Sequence, residues 1–436
     1  MSLYQELERT VLQSGLWNGG RRTHNHGFVL SPCVYEMSGL LCAELSLLAV
    51  TLYECLSGLG RILAIASLPH LSHGPVWAMF SRVLRTGVPK EFRDIQTLHP
   101  GRVPSIFKVD FLESVDGRLL IVEIDGYNKR GLGYALLVEQ MRRVIAPTAN
   151  VLPGVVPAIA KEVSRRGRDN LVLLYADQER FYDPTFRILA EGLSQAGVPS
   201  FVLSEQNFAR IFDADAGLLR RDPLVGGNRE IQNPLFLDLP FLYKSRGLGQ
   251  RLAELYAQGE VDFLICPKPF TSSKAVLALL RNDEDDWELE AILRAHIPGS
   301  SLERVRRYIP QTYLVHNGEP LQYWKTLSDS RSFVLKESMS SGMKGTFFSG
   351  GADFDAALQR AAGSHYHSVL QEEVTLLPRT YEYFTDEGEV LTDTWYNRLT
   401  AHFSSRELAD LSITSRRDKR VHGAVDAIEL GSVIVP

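Results

Sequence analysis

Phe107, Val109 and Phe111 alternate with Lys108, Asp110 and Leu112, the two-residue rhythm of a half-buried strand. Asp116-Gly117 predicts a tight turn, because both residues tolerate positive φ. Residues 119–124 are an apolar, β-branched run suited to a buried returning strand. Before this hairpin the periodicity is helical. Residues 3–14 are amphipathic, residues 38–63 are long and apolar, and segments 74–84 and 90–98 predict two shorter helices. A further helix is expected over 133–146.

The middle of the chain changes rhythm. Helix over 155–166, strand over 170–176, helix over 184–196 and strand over 200–204 follow in order, and Gly197 suits a helix C-cap. That β–α–β order implies a parallel pair with a crossover. Short strands at 216–221, 241–244 and 262–266 and a helix at 248–257 complete an α/β unit. The last third predicts a helix over 275–280 and another over 298–315. Strands are expected at 332–337, 346–348 and 368–374, with a helix at 352–362 among them. An antiparallel pair at 381–385 and 390–398 and a final apolar strand at 427–435 close the chain. The organisation expected is residues 1–150, 151–270 and 271–436.

The composition of the 436 residues is that of an ordinary soluble globular protein, 44% hydrophobic and 23% charged. A net charge of −5 gives no footprint for nucleic acid. Cys33, Cys42, Cys55 and Cys266 show no paired spacing, which fits a reduced cytoplasmic protein. The apolar stretch 37–68 is interrupted by Glu44, Glu54, Gly58, Gly60 and Arg61 and reads as a buried helix, or a homodimer face, and not as a membrane span.

Acid enters the returning strand of the hairpin. Glu123 and Asp125 are two apart, so a strand points both carboxylates to one face. Burying two unpaired carboxylates is costly, and a divalent cation removes the cost. The alternative is an edge strand whose polar face meets solvent. Residues 126–133 follow, with Asn128, Lys129, Arg130 and three glycines. They read either as an anion-binding loop beside a metal–phosphate site or as a surface loop. Tyr243-Lys244-Ser245-Arg246 places cations at a strand end and carries the same two readings. His24 and His26 have no third ligand nearby and read as loop histidines. Lys274 opens a helix, where an anion would offset its unfavourable position. Lys336 lies on a strand, and the Gly/Ser-rich loop behind it, 338–345, can wrap oxygen atoms with backbone N–H groups. No HRD or DFG follows, so a protein-kinase reading fails. The cations of 416–424 are a surface loop or a lid over an anionic substrate.

Taken in order, KVDF…DGRLLIVEIDGYNKRGLG, PKPFTSSKAVLALL, FVLKESMSSGMKG, SVLQEEVTLL and VHGAVDAI resemble the circularly permuted ATP-grasp ligases, the group that includes eukaryotic-type glutathione synthetase. The resemblance covers roughly residues 105–436; the acidic strand, last in most ATP-grasp enzymes, here precedes the phosphate lysines. It implies a mixed α/β, permuted ATP-grasp fold with a helical N-terminal region and a Rossmann-like substrate domain.

The resemblance also implies roles. Glu123 and Asp125 would hold Mg²⁺, Asp125 standing where the family usually has Asn. Lys274 and Lys336 would grip ATP phosphates under a flexible loop containing Gly342, Lys344 and Gly345. Gln371, Glu372, Glu373 and Val374 would meet adenine. Lys108 and Asp110 match an Arg-x-Asp position that faces the amino-acid substrate, with Asn128 and Arg130 beside it. Arg417 or Arg420, with His422 and Gly423, would lie near a substrate carboxylate, so that Lys336, Arg417 and Arg130 carry the catalytic charge. Met339 and Ser340 stand where a third metal-binding acid is usual. The implied activity is ADP-forming ligation of amino acids or small peptides. Loading of an amino acid onto a carrier protein and an inactive nucleotide-binding protein are the alternatives.

Overall fold

The computed structural model describes residues 1–17, 28–70, 74–126, 131–213, 218–220, 231–232, 234–237, 246–283, 286–340, 345–422 and 426–436. The architecture is mixed α/β, as the sequence implies. Sites expected at Asn128, Arg130, Gly342, Lys344 and Gly423, the histidines 24 and 26, and the strand expected at 241–244 lie outside the described residues.

A seven-stranded sheet forms the body. It takes β1 (Tyr35–Ser38), β2 (Ile106–Glu113) and β3 (Leu119–Asp125) from the first third of the chain. From the last part come β15 (Pro378–Phe384), β16 (Val390–Ser404), β17 (Glu407–Arg416) and β18 (Ile428–Val435). The order is β1-β18-β17-β16-β2-β3, and β15 pairs with the first half of β16, whose second half pairs with β2. Segments 1–150 and 271–436 therefore share one sheet.

Strand alternation gives this sheet two different faces. Val109, Phe111, Trp395, Leu399, Phe403, Leu411 and Ile413 are buried together with Leu45, Leu52, Leu56 and Leu59 of α2 (Gly39–Ala66). α2 begins at Ser38, whose hydroxyl accepts from Leu41 N–H. It is long and apolar enough to cross a membrane by length and composition alone, yet its glycines serve packing. A Cβ on Gly58 would stand 2.3 Å from Ile297 Cγ1. The other face carries Lys108, Asp110, Arg398, Thr400, His402, Asp410, Thr414 and Glu429, and α4 (Leu132–Ile145) crosses its β17–β18 end.

Two further sheets flank the body. β4 (Leu171–Tyr175) and β5 (Ser200–Ser204) run parallel with β9 (Leu235–Phe236) and β10 (Asp262–Phe263), in the order β10-β9-β4-β5. This is the α/β unit the middle of the sequence predicts, and Gly197 takes φ +86° at the helix end. β6 (Phe212–Asp213), β7 (Leu218–Leu219) and β8 (Ile231–Gln232) make a small antiparallel ribbon beside it. The third sheet is antiparallel, in the order β11-β14-β12-β13, from β11 (Thr312–His316), β12 (Phe333–Glu337), β13 (Thr346–Phe348) and β14 (His365–Glu372).

Several boundaries differ from the sequence reading. The helix expected over 298–315 ends at Tyr308, and 312–316 is strand, because Pro310 has no N–H to donate and disfavours helix at Ile309. Residues 90–98 form two 3₁₀ turns and not one helix. β1, β17 and the helix Leu321–Ser330 were not expected at all.

Candidate functional site

The acidic hairpin is built as its alternation predicts, with one addition. Gly117 takes φ +79° at the turn, and Asp110 pairs directly with Glu123 and Lys108 with Asp125. Between Asp110/Glu123 and Phe111/Ile121 the register shifts, so Val122 is an extra, bulged residue. Without the bulge, Ile121 would share a face with Glu123. With it, Ile121 pairs with Phe111 in the core while both acids stay on the polar face.

The two acids then part company. Glu123 lines a cleft of about 930 Å³, counting the part open to solvent, between the hairpin and the third sheet. Asp125 does not line it. It is 5% exposed, accepts from Ser272 Oγ at 2.6 Å and has Lys108 Nζ at 3.9 Å. Lys108 likewise serves the framework, donating to Asp110 at 3.0 Å. The hairpin carboxylate that accompanies Glu123 in the cleft is Asp110, which also accepts from Thr400 Oγ1 at 2.8 Å. Burial alone would raise the Asp110 pKa; the cations of Lys108 and Arg398 override that and hold it down at about 2.

Both expected lysines reach the same cleft from different elements. Lys274 follows the 3₁₀ turn Pro269–Ser272 and caps the seven-residue helix Ala275–Arg281. Its Nζ donates to Ser340 O at 2.6 Å and lies 3.8 Å from Glu123 Oε1. Lys336 projects from β12 and donates to Gln371 Oε1 at 2.7 Å. Burial, and then the like charge of Lys274, push the Lys336 ammonium down to about 8. Glu372, Glu373 and Val374 line the cleft at the end of β14, next to the apolar side chains Leu112, Val334, Phe348 and Leu376. Arg420 and His422 line it as well; Arg420 is exposed and engaged by Asp418 at 2.9 Å. Gly345, at φ +67°, lines a neighbouring crevice on the far side of β12.

Arg417 is a correction. β17 runs through Arg416, so Arg416 shares the polar face with Thr414, and Arg417 points to the opposite face. There it pairs with Asp393 at 2.6 Å and its guanidinium lies 4.7 Å from the ring centroids of both Tyr383 and Trp395. Arg416 instead donates to Arg420 O at 3.0 Å and to Asp426 at 2.7 Å, bracing the segment that bears Lys419, Arg420 and His422. Sequence reasoning also missed Arg398, which lines the cleft and donates to Thr414 Oγ1 at 3.1 Å. Thr414 passes the bond on to Glu429 at 2.8 Å, a 1%-exposed acid that burial raises to about 8. Extending the alternation of 390–398 through Ser404 would have placed Arg398, Thr400 and His402 on one face.

The donor set suits a hard divalent cation that keeps water and takes phosphate oxygens. Glu123 offers an accessible carboxylate, with its side chain 27% exposed, and Asp110 stands across the ladder from it. Among the described residues, no group of three or more His, Cys, Asp or Glu comes together as a self-sufficient cage.

No protein-family model matches the chain, and no curated protein does. Among solved structures it is similar to the crystal structure of a "Putative gamma-glutamylcysteine synthetase" from Methylobacillus flagellatus KT, at 12% identity and a TM-score of 0.32, over 87% of this chain and 88% of that one. A likeness at that level carries no argument about chemistry.

Proposed function

We propose that the protein is an ADP-forming, ATP-dependent carboxylate–amine ligase with a permuted ATP-grasp arrangement. The observation that carries this reading is the convergence of Lys274, Lys336, Asp110 and Glu123, from four separate elements, on one cleft with an apolar wall. Two lysines on one cleft suit a polyphosphate, and Val334, Phe348 and Leu376 suit the face of a base. Mg²⁺ bound at Glu123, with Asp110 in support, would neutralise phosphate charge.

In this reading a substrate carboxylate oxygen attacks the γ-phosphorus and the bond to the ADP oxygen breaks. The acylphosphate so formed is attacked by an amine nitrogen, which loses a proton as inorganic phosphate leaves and the amide forms. The chain contributes placement and charge. Lys274 and Lys336 hold the phosphates, and Arg398 and Lys419 offer cationic groups at the cleft beyond them. A second reading, a nucleotide-binding protein without turnover, is favoured by Met339 and Ser340 in place of a third acid.

The test is incubation with ATP, Mg²⁺ and a pool of amino acids and small peptides. ADP with a new mass equal to two substrates less water supports the ligase. AMP would overturn its mechanism, and binding of ATP without turnover on any pool would favour the second reading.

A further inference from the structure

Gln371 was expected at an adenine-contacting edge, but its side chain does something else. The residue is 1% exposed. On the third sheet it is paired directly with Thr312 of β11 and Val334 of β12, and it sits diagonally to Lys336. Its amide Nε2 donates to Thr312 Oγ1 at 3.1 Å, and its Oε1 accepts from Lys336 Nζ at 2.7 Å.

The direction of this chain is fixed. The Thr312 hydroxyl spends its only proton on Pro310 O, 2.8 Å away, so its oxygen can only accept from Gln371. The amide must then turn its NH₂ to Thr312 and its carbonyl to Lys336. A backbone carbonyl at Pro310 thus orients an ammonium two strands away. One of the three Lys336 protons is committed to Gln371, which leaves two for a ligand.

We infer that Gln371 is a positioning residue that holds the Lys336 ammonium charged and aimed at the phosphates, and is not a nucleobase contact. The inference rests on the reading of the cleft as an ATP site. The charges facing Lys336 there are Lys274, Glu123 and Asp110, with Arg398, Glu372, Glu373, Lys419, Arg420 and His422 around the rest of the cleft. Burial and Lys274 favour loss of its proton near pH 8, while Glu123 and Asp110 oppose that loss. A neutral carbonyl aimed at the ammonium adds to the side that keeps the proton.

The experiment is calorimetric titration of the full chain with two probes, a non-hydrolysable ATP analogue and inorganic tripolyphosphate, between pH 6.5 and 9.5. Wild-type affinity for both probes should fall as the pH rises past about 8. Gln371→Leu should weaken both by roughly tenfold, the scale of one lost hydrogen bond to a charged group, and move the alkaline fall to lower pH. Gln371→Glu keeps the acceptor for Lys336 but loses the donor to Thr312 and adds an anion beside the phosphates, so it should move the fall to higher pH while binding both probes no more tightly than wild type. Thr312→Val, which frees the amide to turn over, should weaken both probes in the same direction. If Gln371→Leu melts early, Gln371→Glu and Thr312→Val decide. Loss confined to the ATP analogue, with tripolyphosphate untouched, would make Gln371 a base contact and overturn the inference. So would variants whose pH dependence matches wild type. If wild type binds neither probe, the ATP-site reading itself has failed.

Discussion

Lys274 Nζ stands 3.8 Å from Glu123 Oε1, joining the lysine that caps the helix Ala275–Arg281 to an acid of the central hairpin. The same ammonium donates to Ser340 O, so it spans the cleft between body and third sheet. Glu123 is then either a partner for Lys274 or a ligand for a cation that arrives with the nucleotide.

Glu123→Gln separates these roles, because it keeps the shape and removes the charge. In the ligase reading the variant binds ATP without Mg²⁺ at least as tightly as wild type, since one anion fewer faces the triphosphate. It should lose Mg²⁺-dependent tightening and turnover. Titrations with and without Mg²⁺ check this, and an unchanged Mg²⁺ response would remove Glu123 from the cation site.

Gly58→Ala has a sign that tests the placement of α2. In an unpacked helix the change adds about 1 kcal/mol of stability. Here the new Cβ would stand 2.3 Å from Ile297 Cγ1 and 2.8 Å from His296 O, so α2 must shift. Overpacking of this kind costs about 1–3 kcal/mol. A lowered melting temperature is expected; a raised one would mean that α2 does not pack there.

The hairpin, the β–α–β unit and the lysine strand were legible because each is set by local signals: period-two alternation, a Gly at positive φ, and short apolar runs. The long meander was only half legible. β16 and β17 are joined through Ser405-Arg406, with Ser405 at φ +53°, where Gly or Asn would have marked a turn. With the turn hidden, the sequence reading ends this strand at Arg398 and places neither Arg398 nor Thr414 on a face. The parting of Glu123 and Asp125 could not be read either, because Ser272, distant in sequence, decides it. The family resemblance gives Asp110 to the substrate, and its place beside Glu123 depends on the bulge at Val122.

Arg416 and Arg417 should behave oppositely despite being neighbours. Arg417→Ala removes a cation stacked against Tyr383 and Trp395 on the face away from the cleft, at a cost of about 0.5–1 kcal/mol in stability. Substrate affinity should not change. Arg416→Ala frees the segment bearing Lys419, Arg420 and His422, so binding of the acid or amine substrate should weaken while the melting temperature changes little. A melting curve and a substrate titration on each variant check the pair, and a binding defect in Arg417→Ala would return it to the site.

Asp410 ties the stability of the polar face to pH. Its side chain is 2% exposed, its Oδ2 has no hydrogen-bond partner among the described residues, and Arg142 Nη1 is 3.9 Å from its other oxygen. Burial raises its pKa to about 7, with Arg142 only partly opposing. A carboxyl with a raised folded pKa binds its proton more tightly in the native state than in the unfolded chain. Its contribution is therefore complete below the unfolded pKa, near 4, and is lost as the pH climbs to about 7. Glu429, raised to about 8, acts in the same direction over a range reaching one unit higher. Asp410→Asn imitates the protonated form at every pH. It should leave stability at pH 4.5 near wild type and raise it at pH 8, so the two denaturation curves diverge as pH increases. Equal differences at both pH values would mean that Asp410 is ionised throughout in the native protein, with Arg142 as an effective counter-ion.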